Sequence, residues 1–153
     1  MIRARILIAL GVGLLMASAC GSSAPRPVAI TDQNAICASC RAPVINQRFA
    51  AELLTPGEAP LFFNDIQCLS TYLEQNTLLP RYTIAYVVDF RTGEWIPAAT
   101  AVYTRVNDLV TPMGSHLVAH ESAASRDADP VALAGSNVSP AQLFPLGAPE
   151  GTR

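Results

Sequence analysis

Sulfur-bearing side chains are the residues of this sequence with the clearest chemical potential. Cys37 and Cys40 form a Cys-x-x-Cys pair, which occurs in redox dithiols, in small structural disulfides and in halves of soft-metal sites. A thioredoxin-type dithiol opens a helix after a strand, and that context is missing here. A zinc ribbon requires a second such pair or two histidines, and neither is present. The pair by itself therefore leaves all three interpretations open.

Met113 and His116 offer two further donors for a soft metal. They lie in the segment Thr-Pro-Met-Gly-Ser-His at 111–116, where Pro and Gly predict a turn. A methionine in such a turn is poorly placed to pack in a core. Thioether and thiolate ligands together select Cu(I), and His116 could add an imidazole. The alternative for His116 is a surface or loop histidine, and we favour that interpretation for His120.

Cys68 is predicted to lie in the first turn of a helix that begins after an N-cap at Asn64 or Asp65. Apolar residues follow at helical spacing and predict one buried face. Free amide groups and the helix dipole favour a thiolate at this place, whereas the alternative is a small buried core residue. We predict that Cys68 lines the same pocket as Cys37 and Cys40.

The remaining pattern predicts short strands around this helix. Strands are expected over 48–54, 61–63, 82–90, 95–96, 101–106 and 117–119, with a second short helix over 122–126. A weak repeat aligns residues 53–56 with 109–112 and Asp65 with Glu121. It suggests two tandem ββα units. Each is too small to bury a sufficient core alone, so an α+β domain of two packed units is predicted.

The chain begins with a predicted targeting segment. Arg3 and Arg5 precede an uncharged stretch at 6–19 that is too short to span a bilayer. Ala-Ser-Ala before Cys20 resembles a lipobox, which predicts a signal peptide at 1–19, acylation of Cys20 and a flexible tether at 20–34. The alternative is an ordinary signal cleaved after Ala19. Both place the mature chain outside the cytoplasm.

Composition bounds the rest of the chain. Of 153 residues half are apolar and 14% charged, and the net charge is −2, which excludes a strongly basic nucleic-acid binder. The folded part is predicted over 35–126. Residues 127–153 are rich in Pro, Ala, Gly and Ser, and a disordered tail is predicted there. No hydrolase, metalloprotease or phosphate-loop motif occurs, so no enzymatic activity is expected.

Over residues 36–125 the sequence resembles the NosL-type periplasmic lipoproteins, copper chaperones that assist maturation of nitrous oxide reductase. The matching motifs are the Cys-x-x-Cys pair, the segments 62–68 and 88–96, and Thr-Pro-Met-Gly-Ser at 111–115. The resemblance implies two ββα units, and Cu(I) held by Cys40 and Met113. Any missing donor would come from Cys37, Cys68 or His116. A copper exporter or a copper-accepting client would be the partner.

One departure from the family pattern concerns the metal site. The family usually continues the pair as Cys-Gly-Met, whereas Arg41 and Ala42 follow Cys40 here, so one thioether is absent. The leading hypothesis is a membrane-anchored Cu(I) chaperone. The alternatives are a thiol–disulfide lipoprotein that uses Cys37 and Cys40, and a structural lipoprotein in which the pair is only a disulfide.

Overall fold

A computed structural model describes residues 25–31, 35–145 and 147–151. The predicted signal peptide and Cys20 lie outside the described residues. Within the described part, no helix has both the length and the apolar character needed to cross a membrane. The strands are β1 Ala51–Leu54, β2 Leu61–Phe63, β3 Ile84–Val88, β4 Trp95–Pro97, β5 Val102–Arg105, β6 Leu117–His120 and β7 Ser136–Val138. The helices are α1 Ile66–Gln75, α2 Ala123–Asp127, α3 Pro130–Leu133 and α4 Pro140–Leu143.

The strands form two antiparallel sheets. The first has the order β2-β1-β3-β4 and the second the order β6-β5-β7. In the first sheet Ala51 of β1 lies opposite Phe63 on one side and Val87 on the other. In the second, Tyr103 of β5 lies between Ala119 and Val138. Strand β7 therefore takes the place in the second sheet that β3 takes in the first. The helices and antiparallel sheets confirm the predicted α+β fold class.

Each sheet contributes one ββα unit, as the weak repeat suggests. The first consists of β1, β2 and α1, and the second of β5, β6 and α2. Asp65 caps α1 by accepting the Gln67 amide at 2.9 Å, and Ser122 caps α2 by accepting the Ser125 amide at 3.1 Å. The helix of the second unit therefore aligns one residue later than the pairing of Asp65 with Glu121 suggests.

The two units share one hydrophobic core, as the small size of each unit requires. Phe63 and Leu69 of the first unit are fully buried in it together with Leu117 and Tyr103 of the second. The core lies between the sheets and around α1. Cys37 and Cys68 also belong to this buried cluster.

The C-terminal tail predicted as disordered over 127–153 is instead folded where the structure describes it. It contributes α3, α4 and β7, and Leu143 and Phe144 are buried in the main core. The Ser70 hydroxyl on α1 donates to the Leu143 carbonyl at 2.6 Å. The prediction was wrong because the segment has few apolar residues, and those few pack against elements distant in sequence. The folded domain therefore extends well beyond residue 126.

Part of the predicted tether packs on the outer face of the first sheet. The Val28 amide donates to both carboxylate oxygens of Glu52 at 3.1 Å, and the Tyr86 hydroxyl donates to the Pro25 carbonyl at 2.8 Å. Glu52 is fully buried. Burial raises the pKa of Glu52 to about 7, against the lowering effect of the Val28 hydrogen bond. Residues 25–31 are thus attached to the domain rather than free of it.

Candidate metal centre

Three cysteines from two separate parts of the chain meet at one point. Cys37 and Cys40 lie in the turn before β1, and Cys68 lies in the first turn of α1. Their sulfur atoms are all within 4.8 Å of one another, as predicted for Cys68. All three are free thiols. Cys37 and Cys68 are buried, whereas Cys40 is partly exposed.

The turn that carries the Cys-x-x-Cys pair is closed by backbone hydrogen bonds. The Cys37 amide donates to the Ala42 carbonyl at 2.9 Å, and the Arg41 amide donates to the Cys37 carbonyl at 3.0 Å. The Ala38 amide donates to the Phe62 carbonyl at 2.8 Å, which fixes the turn to strand β2. Arg41 has a φ of 65°, a left-handed conformation that favours glycine.

The sulfur of Cys37 is the acceptor at the centre of the site. It accepts the Cys40 amide at 3.4 Å, and the Cys68 thiol and the Asn64 amide lie beside it and lower its pKa. The Cys68 thiol is the main cause that lowers the pKa of Cys37; burial opposes it, and the two amides reinforce it. We call this arrangement of donors around the Cys37 sulfur the cradle.

The pKa of Cys68 is shifted in the opposite direction to that of Cys37. The hydrogen bond of Cys68 to Cys37, its burial and the nearby negative charge of the other thiols all raise the pKa of Cys68. These effects oppose the thiolate that a helix N-terminus favours, and the burial of Cys68 agrees with the alternative of a small core residue. The Cys68 amide already donates to the Asp65 carbonyl at 2.9 Å.

The turn that carries Met113 is attached to the same end of α1. The Met113 amide donates to Oδ2 of Asp65 at 3.1 Å, while Oδ1 of Asp65 caps the helix. Asp65 is fully buried, so its carboxylate connects the two segments in a dry environment. The Met113 residue is 47% exposed, as expected for a methionine that does not pack in the core. This connection through Asp65 has no counterpart in the sequence reasoning.

His116 is not part of the cysteine group that the described residues form. Its Nδ1 donates to the Leu109 carbonyl at 2.7 Å, and its backbone adopts a φ of 60°. One ring nitrogen is therefore occupied by the turn itself, and only Nε2 is left as a potential ligand atom. The structure favours the loop interpretation of His116 over a ligand role in the group of three thiols.

The three thiols suit a single soft metal ion. Three sulfurs bonded to one ion at ~2.3 Å are separated by roughly 4 Å, so the group requires only a small closing movement. The donors are exclusively thiols, which bind soft ions such as Cu(I) and also Zn(II). The identity of the metal does not follow from this geometry alone.

A second turn in the molecule repeats the backbone of the first. The Asp89 amide donates to the Glu94 carbonyl at 2.8 Å, the Gly93 amide to the Asp89 carbonyl at 2.8 Å, and the Phe90 amide to the Ala119 carbonyl at 2.8 Å. These bonds match, in the same order, those of Cys37, Arg41 and Ala38. Gly93 has a φ of 81°, as Arg41 has a φ of 65°. Asp89 therefore stands where Cys37 stands in the first turn.

The donors around Asp89 also match those of the cradle. Its Oδ1 accepts the Thr92 amide at 2.9 Å and the Arg91 amide at 3.0 Å. Its Oδ2 accepts the Glu121 amide and the Ser125 hydroxyl, both at 2.8 Å. Burial alone would raise the pKa of Asp89, but these hydrogen bonds outweigh it and lower the pKa to about 2.

The positions correspond one to one between the two units. Thr92 corresponds to Cys40, and Ser125, the third residue of α2, corresponds to Cys68, the third residue of α1. The second unit thus holds oxygen atoms at each of the three places where the first unit holds sulfur. The sequence signal for this duplication was weak, because Cys-Ala-Ser-Cys-Arg at 37–41 and Asp-Phe-Arg-Thr-Gly at 89–93 have no identical residue at matching positions.

Comparison with family models, with curated proteins and with solved structures gives no match to this chain. The resemblance to the NosL-type lipoproteins therefore rests on the sequence motifs alone. What the structure adds is independent of that resemblance. It consists of the three converging thiols, the turn of Met113 attached through Asp65, and the second turn built around Asp89.

Proposed function

We propose that this protein is a Cu(I) chaperone anchored to the periplasmic side of a bacterial membrane. It holds one Cu(I) ion and passes it to a copper-accepting client or receives it from an exporter, without catalysing a reaction. The observation that carries the proposal is the convergence of Cys37, Cys40 and Cys68 within 4.8 Å. The motifs shared with the NosL-type family point to the same function and suggest nitrous oxide reductase as the client.

The choice of Cu(I) over Zn(II) is supported by the number and type of donors. Structural zinc sites are closed by four thiolate or imidazole ligands, and only three thiols gather here among the described residues. The attached turn carries the thioether of Met113, which suits Cu(I) and is a poor ligand for Zn(II). We therefore propose Cys37, Cys40, Cys68 and Met113 as the ligand set, with His116 outside it.

A competition titration with a Cu(I)-specific chelator tests this proposal on the reduced protein. We expect one bound Cu(I), weaker binding in Met113→Ala and still weaker binding in Cys40→Ser, which removes an anionic ligand. Val110→Ala is the matched control, since Val110 is 86% exposed on the same loop. Equal affinity in all three variants would contradict the proposal.

The lipid anchor is proposed from the sequence at Cys20. Because residues 25–31 pack on the first sheet, only residues 20–24 would separate the lipid from the domain, a reach of at most roughly 18 Å. The domain would therefore stay close to the membrane surface. Cys20→Ala should release a soluble protein, and a wild-type protein without acyl groups by mass spectrometry would contradict the anchor.

A thiol–disulfide function is the second candidate, because the site holds three reduced thiols and the pKa of Cys37 is lowered. Low thiol pKa values are common in oxidoreductases. The reduction potential of the Cys37–Cys40 pair distinguishes the two functions when it is measured beside Cu(I) affinity. A potential in the range of known oxidoreductases with no Cu(I) binding would favour the redox function. A reduction potential below the range of oxidoreductases, together with no Cu(I) binding, would favour a structural role for the pair.

A further inference from the structure

The three thiols of the proposed Cu(I) site differ in their access to solvent. Cys37 is fully buried and Cys68 is 4% exposed, whereas Cys40 is partly exposed. A partner molecule cannot contact the first two sulfurs without a local opening of the domain. It can approach the Cys40 sulfur directly. Among the three thiols, exchange of a metal with an outside ligand therefore begins at Cys40.

The position of Cys37 is fixed by the cradle in a way that is seen twice in the molecule. In the first unit the Cys37 sulfur accepts the Cys40 amide, and the Cys68 sulfur lies within 4.8 Å of it. In the second unit the Asp89 carboxylate is held by donors at the same places. Donors at matching positions around two different acceptors indicate that this position is built to hold an acceptor still.

In both units the residue at the place of Cys40 holds the central acceptor with its backbone amide. The Cys40 amide donates to Cys37, and the Thr92 amide donates to Asp89. The Thr92 side chain is exposed, and its hydroxyl accepts the Glu94 amide at 3.3 Å rather than contacting Asp89. The side chain at this position can therefore move while the amide keeps its hydrogen bond.

We propose that Cu(I) enters and leaves this site through Cys40, with Cys37 and Cys68 as the ligands that stay bound. The inference rests on the proposed Cu(I) function and adds an order of exchange to it. An incoming thiol from the partner loses its proton and forms one Cu–S bond. The Cu–S bond to Cys40 breaks, and the Cys40 sulfur takes up a proton from solvent. No electron is transferred, and the ion remains Cu(I).

Pulse alkylation of the Cu(I)-loaded protein tests this order. The reduced chain is loaded with one equivalent of Cu(I), treated briefly with iodoacetamide and analysed by native mass spectrometry and peptide mapping. We expect the first product to carry one label, on Cys40, and to retain its copper. Labelling of Cys40 should be at least about ten-fold faster than that of Cys37 or Cys68, because those sulfurs react only after local opening.

Two variants serve as controls for the assignment. Cys40→Ser should load with copper and show no labelled, copper-retaining product, whereas Cys68→Ser should still be labelled first on Cys40. A first label on Cys37 or Cys68, or loss of copper with every Cys40 label, would overturn the order of exchange alone. A wild-type protein that takes up no Cu(I) before labelling would overturn the proposed function and the inference together.

Discussion

The turn at Cys37 and the turn at Asp89 share a backbone but hold different atoms. Each closes with the same set of backbone hydrogen bonds, and each contains one residue with positive φ. Asp89 accepts four donors, which occupy both carboxylate oxygens. A carboxylate so occupied has no free side from which to bind a cation. The second turn is therefore a structural joint between β3, β6 and α2.

The first turn differs because its central atom is sulfur and its neighbours are sulfur too. The Cys37 sulfur accepts long, weak hydrogen bonds, such as the 3.4 Å contact from the Cys40 amide. Cys40 and Cys68 place two more soft donors beside it. The comparison teaches that the backbone supplies only a position for an acceptor. The side chains at three corresponding places decide between a joint and a proposed metal site.

Removing the central acceptor should destabilise the protein much more in the second turn than in the first. Asp89→Ala leaves three amides and the Ser125 hydroxyl without their acceptor in a buried place, which should cost roughly 3 kcal/mol or more of unfolding free energy. Cys37→Ala should cost only about 1 kcal/mol, since a sulfur acceptor is weak. Urea denaturation of both variants measures this difference.

Cu(I) affinity should rank the same two variants in the opposite order to their stability loss. Folded Asp89→Ala should keep the wild-type Cu(I) affinity, whereas Cys37→Ala should lose most of it. An Asp89→Ala protein as stable as wild type, or a Cys37→Ala protein with unchanged Cu(I) affinity, would show that the two turns do not divide the roles in this way.

Glu52 should make the unfolding free energy depend on pH through the first unit, a second difference between the two units. Glu52 pairs with Phe62 as Tyr103 pairs with Ala119, and the Phe62 and Ala119 carbonyls accept the equivalent amides of the two turns. Tyr103 packs in the main core, whereas Glu52 is covered by residues 25–31. Because burial raises the pKa of Glu52 from 4.5 to about 7, the folded state favours its protonated form. This contribution is fully present below about pH 4.5 and is lost as the pH rises through 7, about 3 kcal/mol in total.

The Glu52→Gln variant isolates this effect. Its unfolding free energy, measured by urea denaturation from pH 4 to 8, should lack the part of the wild-type loss that Glu52 causes. The difference between wild type and variant should therefore change by up to about 3 kcal/mol across that range. A difference that stays constant with pH would mean that residues 25–31 do not keep Glu52 buried in solution.

Asp89 should produce the opposite pH dependence in acid. Its pKa is about 2 in the folded chain against an ordinary value of 3.8, so the folded state favours the ionised form. The stabilisation is complete above about pH 4 and is lost as the pH falls through 2, about 2 kcal/mol in all. Asp89→Asn should not show this loss. A wild-type and variant pair with parallel acid denaturation curves would contradict it.

The residues with positive φ offer the smallest contrast. Arg41→Gly should stabilise the protein by about 1 kcal/mol, because glycine adopts the left-handed conformation without a steric penalty. Gly93→Ala should destabilise it by about the same amount, although no atom lies within 4 Å of the added Cβ. Thermal denaturation should show the two shifts with opposite signs. Shifts of the same sign would contradict the equivalence of the turns.

Local signals in the sequence were sufficient for much of the first unit. The N-cap at Asp65, the end of α1 at Asn76 and the alternation through β3 follow from propensity and periodicity. The segment 48–50 was expected to extend the first strand. Instead a 3₁₀ turn at Gln47–Phe49 precedes β1, capped by Asn46, whose side chain accepts the Arg48 amide.

The C-terminal elements were missed although part of their signal was present. Asp129 before Pro130, and Ser139 with Pro140 and Gln142, are N-cap patterns that begin α3 and α4. Their proline content suggested disorder. The burial of Phe144 against Tyr103 depends on contacts between distant parts of the chain, which local pattern cannot supply.

The sequence predicted which cysteines form the site but not the hydrogen bonds that hold them in place. The helix position of Cys68 and its place in the family-like segment 64–68 together predicted that it lies beside Cys37 and Cys40. The cradle and the link from Asp65 to Met113 depend on backbone amides and carboxylates brought together by the fold. Side-chain identity does not encode these contacts, so the duplicated turn at Asp89 could be found only in the structure.

X-ray absorption spectroscopy of the Cu(I)-loaded protein is the most direct examination of the proposed centre. Cu(I) held by the three thiols and the Met113 thioether should show a coordination shell of sulfur alone, at ~2.3 Å, that is lost in Cys37→Ala and persists in Asp89→Ala. A shell of nitrogen or oxygen, or one that is unchanged in Cys37→Ala, would contradict the assignment of the metal to the first turn.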